Sequence, residues 1–222
     1  MKKSIIVPAL NESKGIAEVV RRCLAVCTEG DEVIVVDDGS ADDTSDVSRK
    51  AGATVVLRHE KNKGKATALR TGFSAAHNEV VITIDADCTY PPEAIPEMME
   101  KLETNDLVVG TRFRRDWPKD LPLHRTIANK LGALFASVLL MRKITDVTTG
   151  LRAFRKQLLT ELPPITAKGL DFEAEFTARV ISKRKRYAEV RIKAEERKGQ
   201  STLSFFRHVW LFFLAIMRGR FQ

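Results

Sequence analysis

The sequence predicts an α/β fold: an open, mostly parallel, twisted sheet with helices on both faces. Two observations carry this. From Ser4 to Val109, short β-branched runs alternate with stretches of helical periodicity. Each run is nearly all apolar, as strands buried on both faces are, and all but Thr54–Leu57 stop at an acidic, glycine or proline turn. The central run, Val80–Ile84, ends in Asp85-Ala86-Asp87, and Pro91-Pro92 then open a helix.

In order, Ser4–Val7 is a strand ending at Pro8, and Ser13 caps a helix with Ile16, Val19, Val20, Leu24 and Val26 on one face. Glu32–Val36 is a second strand, stopping at Asp37-Asp38-Gly39-Ser40. Asp42 or Asp43 starts the next helix, which Gly52 closes. Thr54–Leu57 is a third strand, and Gly64-Lys65 opens a helix through Ala76 that leads into Val80–Ile84. A helix over Pro92–Leu102 and a strand over Leu107–Val109 complete the alternation. Beyond it lie a charged loop (Arg114–Lys119), a helical segment Leu121–Met141, a turn region Asp146–Phe154, a helix Gly169–Ile181 and a strand Tyr187–Lys193. Residues 1–201 read as one domain, and Thr202–Gln222 as a terminal amphipathic helix rich in Phe and Trp, packed in the core or facing a membrane.

The chain has 222 residues, 37 Lys+Arg against 29 Asp+Glu, a net charge of +8, and its basic surplus lies mainly beyond residue 110. Such a half favours an anionic partner. Nucleic acid is not expected, because no helix-turn-helix, RNA-recognition or zinc pattern appears and aromatics are few outside the terminal helix. Cys23, Cys27 and Cys88 have neither disulfide-framework nor zinc spacing, which suits a reducing compartment. No run reaches the roughly 18–20 apolar residues of a membrane span. The first residues do not read as a secretory signal.

Three strand ends carry acidic or small loop residues: Pro8–Glu12, Asp37–Ser40 and Asp85–Asp87. A parallel sheet brings such ends to one edge, where ligands bind. The Asp85/Asp87 pair either caps the following turn or holds a hard divalent cation, Mg²⁺ or Mn²⁺. Gly64-Lys65 is no P-loop, since the upstream glycine and the following Ser/Thr are missing. Asp37 can equally buttress its own loop, and Glu173 can be a solvent-facing helix charge.

Six motifs in one order, VPALNE (7–12), VVDDGSADDT (35–44), NKGKATALRTGF (62–73), DADCTYPPE (85–93), VVGTRF (108–113) and DVTTGLRAF (146–154), resemble family 2 glycosyltransferases of GT-A fold. Within that group the chain is similar to the polyprenyl-phosphate sugar transferases, the dolichol-phosphate mannose synthase type. The resemblance implies a nucleotide-sugar donor (GDP-mannose or a UDP-hexose), one divalent metal, a polyprenyl-phosphate acceptor and inversion at the anomeric carbon. Carried over by residue, Pro8, Leu10, Glu12, Val36 and Asp38 would hold the nucleoside. Asp85, Ala86 and Asp87 would bind ribose, diphosphate and metal, and Thr89 stands where the family often has a glutamine near the metal. Arg112 would contact the diphosphate or the acceptor phosphate, with Arg125 and Asn129 on the acceptor side. In Glu196–Leu203 the family's R-x-x-G-x-S-K-L pattern keeps Gly199 and Ser201 but has Thr202 for the lysine, so Arg197 or Lys198 would reach the phosphate.

A phosphate acceptor, with a second pKa of about 6, is anionic near neutrality and needs no general base. A hydroxyl acceptor would need one, and Asp171 or Glu173 is the candidate. The expected location is the cytoplasmic face of the cell membrane, as a peripheral protein. Arg207, Arg218 and Arg220 of the terminal helix would meet anionic lipid heads, with Leu131–Met141 as a second apolar contact.

Overall fold

We describe a computed structural model of the chain over residues 1–112, 123–169, 171–198 and 205–221; within these the side chains of 123–126, 128 and 205–209 are left aside. The charged loop 114–119, the 199–203 segment and the side chains of Arg125, Arg207 and His208 thus lie outside the described residues.

The alternation reads out in order as β1 (Lys3–Ala9), α1 (Ile16–Ala25), β2 (Glu32–Asp37), α2 (Thr44–Lys50), β3 (Val55–Arg58), α3 (Lys65–Ala75), β4 (Val80–Thr83), α4 (Ile95–Leu102) and β5 (Leu107–Thr111). Then come α5 (Leu123–Leu139), β6 (Arg152–Arg155), the single turn α6 (Leu158–Glu161), α7 (Phe172–Ser182), β7 (Tyr187–Arg191) and α8 (Phe205–Phe221). The seven strands form one sheet in the order β3-β2-β1-β4-β6-β5-β7. Strands β1, β2, β4 and β5 are buried along their whole length, so their β-branched residues feed a hydrophobic cluster on each face.

All pairings are parallel except those of β6, which runs antiparallel between β4 and β5. The expected turn region 146–154 is therefore corrected: its second half is a strand. The sequence signal was weak, because four residues with a buried arginine do not alternate cleanly. The reversal has a positional consequence. Arg152 pairs with both Thr83 and Val109, so β6 begins where β4 and β5 end. The loop 146–151 is thereby delivered to the carboxyl edge of the parallel strands.

Helix α7 is buried over Phe172–Val180, its acidic residues included. It lies under α8, and the two approach so closely that a Cβ on Gly219 would sit 2.5 Å from Ala178 Cβ and 2.7 Å from the Glu175 carbonyl. The inner side of α8 buries Ala215 and Ile216, and Phe213 packs edge-on against Phe135 of α5. The outer sides stay exposed: Ile127, Leu131, Leu134, Val138 and Met141 along and just past α5, and Trp210, Leu214, Met217 and Phe221 along α8. Steps of four and three residues set each row on one helix face. Arg218, expected on a lipid-facing row, instead pairs with buried Asp171 at 2.7 Å. Glu173, one of whose readings was a solvent-facing charge, is buried.

Candidate active site

The chain runs from β1 through β2 to β3 on one side of the sheet, then returns to β4 on the other side of β1. A crevice opens at the carboxyl ends where that direction switches. Pro8 helps to open it. Ile6 O accepts from Ile84 N and Ala9 O accepts from Asp38 N, so Pro8 faces the gap past the end of β4. There its missing N–H breaks no ladder bond.

Asp37 is fully buried and accepts from Ser40 N at 2.8 Å and from the Ser45 hydroxyl, so it buttresses its loop. Asp38 accepts from Lys63 N at 3.0 Å and Gly64 N at 2.8 Å, and its Oδ1 lies 2.6 Å from His59 Nδ1. That carboxylate therefore fixes the start of α3, whose first residue is Lys65. The Lys65 ammonium lies 2.6 Å from Asp85 and 2.7 Å from Glu173. Burial works against its charge, yet the two carboxylates hold its pKa above the usual lysine range.

Asp87 ion-pairs with Arg197 at 3.0 Å, and the other end of that guanidinium reaches Glu12, also at 3.0 Å. Backbone bonds seat the segment: Glu195 N donates to Thr89 O and Lys198 N to Asp87 O. Thr89 N donates to Asp87 Oδ1 at 3.0 Å, which orients that carboxylate. Burial raises the Glu12 pKa to about 7, opposed by Arg197 and reinforced by Asp87 and Asp85.

Arg112 follows β5 and is gripped from the loop before β6. Its Nε donates to Asp146 at 2.8 Å and its NH2 to Thr148 at 2.9 Å, with the guanidinium 5.4 Å from the Tyr90 ring centre. Burial pushes the Tyr90 phenol to about 12, so it stays protonated. Its oxygen accepts from Gly150 N at 3.0 Å. Gly150 allows a close approach, since a Cβ there would meet the Asp85 carboxylate at 2.5 Å. From behind, Arg152 donates to the carbonyls of Thr149 and Val147 and to the Thr177 hydroxyl.

The structure thus links Glu12, Asp87, Thr89 and Arg197, with Asp85, held by Lys65, and Arg112 beside them. Ala86 is buried between the two aspartates, Pro8 and Val36 lie opposite each other in β1 and β2, and Leu10 is half-buried at the rim. The Val36 side chain belongs to the core, so only its main chain is left to meet a ligand. Arg125 has its backbone in α5. Sequence reasoning missed Lys65, Tyr90, Asp146 and Gly150. For Lys65 the signal was available, a lysine opening the helix that leads into the acidic strand. Asp146 opens the quoted motif 146–154, but nothing there pointed to Arg112, 34 residues away.

Among the described residues no three His, Cys, Asp or Glu side chains converge on one point as a complete metal cage. The oxygen donors present nevertheless suit a hard cation. Mg²⁺-type ions are commonly held by one or two carboxylates, with phosphate oxygens and water completing the shell. Asp85 and Asp87 supply two, and Glu12 Oε2 is a third buried oxygen with no hydrogen-bond partner.

Comparison with known proteins agrees with this geometry. Residues 4–162 match the model of glycosyl transferase family 2, and the chain belongs to that family. It is 33% identical to an undecaprenyl-phosphate mannosyltransferase of Micrococcus luteus, over 92% of this chain and 88% of that one. It is 31% identical to a dolichyl-phosphate hexose transferase of Haloferax volcanii, over 91% and 87%. A dolichol-phosphate mannosyltransferase of Pyrococcus furiosus is 29% identical over 95% of this chain, which spans only 63% of that relative. Glucosyl-3-phosphoglycerate synthase of Mycobacterium tuberculosis, crystallised with Mn²⁺ and UDP, shares the fold with a TM-score of 0.80 at 22% identity, covering 98% and 79%.

Proposed function

We propose that this family 2 glycosyltransferase moves a hexose from a nucleotide sugar to a polyprenyl phosphate, with inversion. The observation that carries this over a hydroxyl acceptor is the fate of the two carboxylates able to serve as base. Glu173 is buried against Lys65 and Asp171 is held by Arg218, so neither is placed to take a proton from an incoming hydroxyl. A phosphate monoester needs no such help. Its oxygen attacks the anomeric carbon while the bond to the nucleoside diphosphate breaks, and the diphosphate leaves with the electron pair.

In this reading Pro8, Leu10, Glu12, Val36 and Asp38 line the nucleoside side, and Asp85, Ala86 and Asp87 face ribose and diphosphate. Asp85 and Asp87, with Thr89 beside them, would hold Mg²⁺ or Mn²⁺, which when bound supplies charge for the leaving diphosphate. Arg112, fixed by Asp146 and Thr148, sets a positive charge beside the same group. Arg125 and Arg197 would meet the acceptor phosphate. For Arg197 this means letting go of Glu12 and Asp87.

Domain 1–201 performs the transfer, and 202–222 meets the membrane surface. Among the described residues no helix is long and apolar enough to cross a membrane. The exposed rows of α5 and α8 support docking on a bilayer surface, which this reading places on the cytoplasmic side. The test offers GDP-mannose and UDP-hexoses with a polyprenyl phosphate, the same polyprenol without phosphate, and a free saccharide. Product on the phosphate alone is expected. Product on the alcohol or the saccharide would overturn the reading.

A further inference from the structure

Adjoining the strand-end group but apart from its side chains, an open groove of about 600 Å³ lies between β7, the end of β5 and the chain that follows α5. Arg142, Lys143 and Arg191 line it, with Thr145, Tyr187 and Glu189 among the others. It shares no side chain with the group around Asp85, Asp87 and Arg112. Glu189 is the groove's acidic residue, and its oxygens are already used: they accept from Thr145 N at 2.8 Å, the Thr145 hydroxyl at 2.7 Å and the Tyr187 hydroxyl at 2.7 Å. Arg142 donates to the Tyr187 carbonyl, a neutral partner, at 2.8 Å. Among the described residues no carboxylate pairs with Arg142, Lys143 or Arg191. Three positive charges therefore face one groove against the single negative charge of Glu189, and all three basic residues are exposed.

The setting says what would compensate them. The apolar row of α5 ends at Met141, which is 90% exposed, and the next residue is Arg142. Met141 has a φ of 50°, the left-handed region that a side chain adopts at a cost, so the chain turns out of the helix with this methionine outermost. Neither α5 nor α8 contains a single acidic residue. A second copy meeting it through this same groove would bring like charge against like charge. A surface apolar within and anionic at its rim matches both features.

We propose that the groove of Arg142, Lys143 and Arg191 is a binding site for the phosphate head group of an anionic bilayer lipid, distinct from the acceptor site. It rests on the membrane-docking part of the reading above, and fixes how the α5 edge is seated: apolar row in the acyl boundary, groove at head-group depth.

Flotation on neutral phosphatidylcholine vesicles and on vesicles containing phosphatidylglycerol tests it. Each basic residue at an anionic surface is worth roughly fivefold in partitioning, so the triple variant Arg142→Ala, Lys143→Ala, Arg191→Ala should lose on the order of 100-fold on anionic vesicles. Binding to neutral vesicles should hardly change. The double variant Lys143→Gln, Arg191→Gln leaves the Arg142 bond to Tyr187 in place, and should lose about 25-fold with the fold intact. Both variants should use a short-chain, water-soluble polyprenyl phosphate at wild-type kcat/KM. Equal anionic preference in wild type and variants overturns the site. So does a protein that floats on neither vesicle, while the soluble-acceptor assay still reports on transfer. Inorganic phosphate that binds the groove without any vesicle preference would overturn the lipid assignment, as would a concentration-dependent dimer that the variants abolish. A fall in soluble-acceptor kcat/KM would place these cations in the acceptor site instead.

Discussion

Up to residue 110 the chain carries 19 acidic and 13 basic residues; beyond it, 10 acidic and 24 basic. The halves also use their charges differently. In the first, carboxylates are set into loops by neutral backbone N–H and hydroxyl donors: Asp37 by Ser40 and Ser45, Asp38 by Lys63 N and Gly64 N. In the second, acidic residues are turned inward, Asp146 onto Arg112, Asp171 onto Arg218 and Glu175 onto Arg179, while cations such as Arg142, Lys143 and Arg191 stand at the surface. A donor diphosphate with its metal asks for fixed carboxylates. An anionic lipid acceptor asks for cations beside an apolar face. The difference between the halves is the division of labour expected when one enzyme must hold both.

The sharpest way to break that division is Asp87→Asn. It should cut transfer by about 100- to 1000-fold, a loss typical of removing one key electrostatic group from a site. The melting temperature should stay within a few degrees of wild type. A chelator should stop the wild-type reaction, and Mn²⁺ or Mg²⁺ should restore it. Full turnover by the variant, or in excess chelator, would remove the first half's claim to the metal.

Asp146→Ala probes where the halves meet. It leaves the Arg112 guanidinium nearly buried without its carboxylate, and breaking such a pair costs about 3–5 kcal/mol. Urea unfolding should register that loss, and a cost below 1 kcal/mol would mean the pair behaves as a surface contact.

Glu12 gives a pH signature confined to the first half. Its carboxyl is raised from 4.5 to about 7 in the folded chain, so the native state binds more protons than the unfolded one between those values. Stability from this group is thus present below pH 4.5 and is lost as pH rises toward 7. The full shift corresponds to about 3 kcal/mol, and partial solvation should reduce that to about 2. Comparing wild type with Glu12→Gln by denaturation across this range should show wild-type stability falling relative to the variant as pH rises. Parallel curves would refute it.

The smallest effect belongs to Gly219→Val in the second half. The added side chain has no room against Ala178 and Glu175, and overpacking of this kind costs about 1–2 kcal/mol. Hydrogen exchange should accelerate in α7 and α8 while β1, β2 and β4 keep their protection. Uniform acceleration would show that the two halves unfold as one unit.

Strand and helix order from Lys3 to Thr111 was legible in the sequence, because each element there is local: β-branched runs, helical periodicity and turn residues act within a dozen positions. The acidic pair at the end of β4 was legible for the same reason. Alternation ran out after residue 112, and with it local legibility. Nothing within 146–154 announces that β6 runs antiparallel between β4 and β5, since insertion between strands is decided by their open edges and not by the inserted segment. That one placement brings Asp146 to Arg112 and Gly150 to Asp85. The Lys65 bridge to Asp85 and Glu173, the burial of Glu173, and Arg197 between Glu12 and Asp87 depend likewise on contacts across long stretches of chain. Ion pairs between distant segments carry no sequence period. Which carboxylate a buried cation meets is decided only when packing has excluded water and left it one partner within reach.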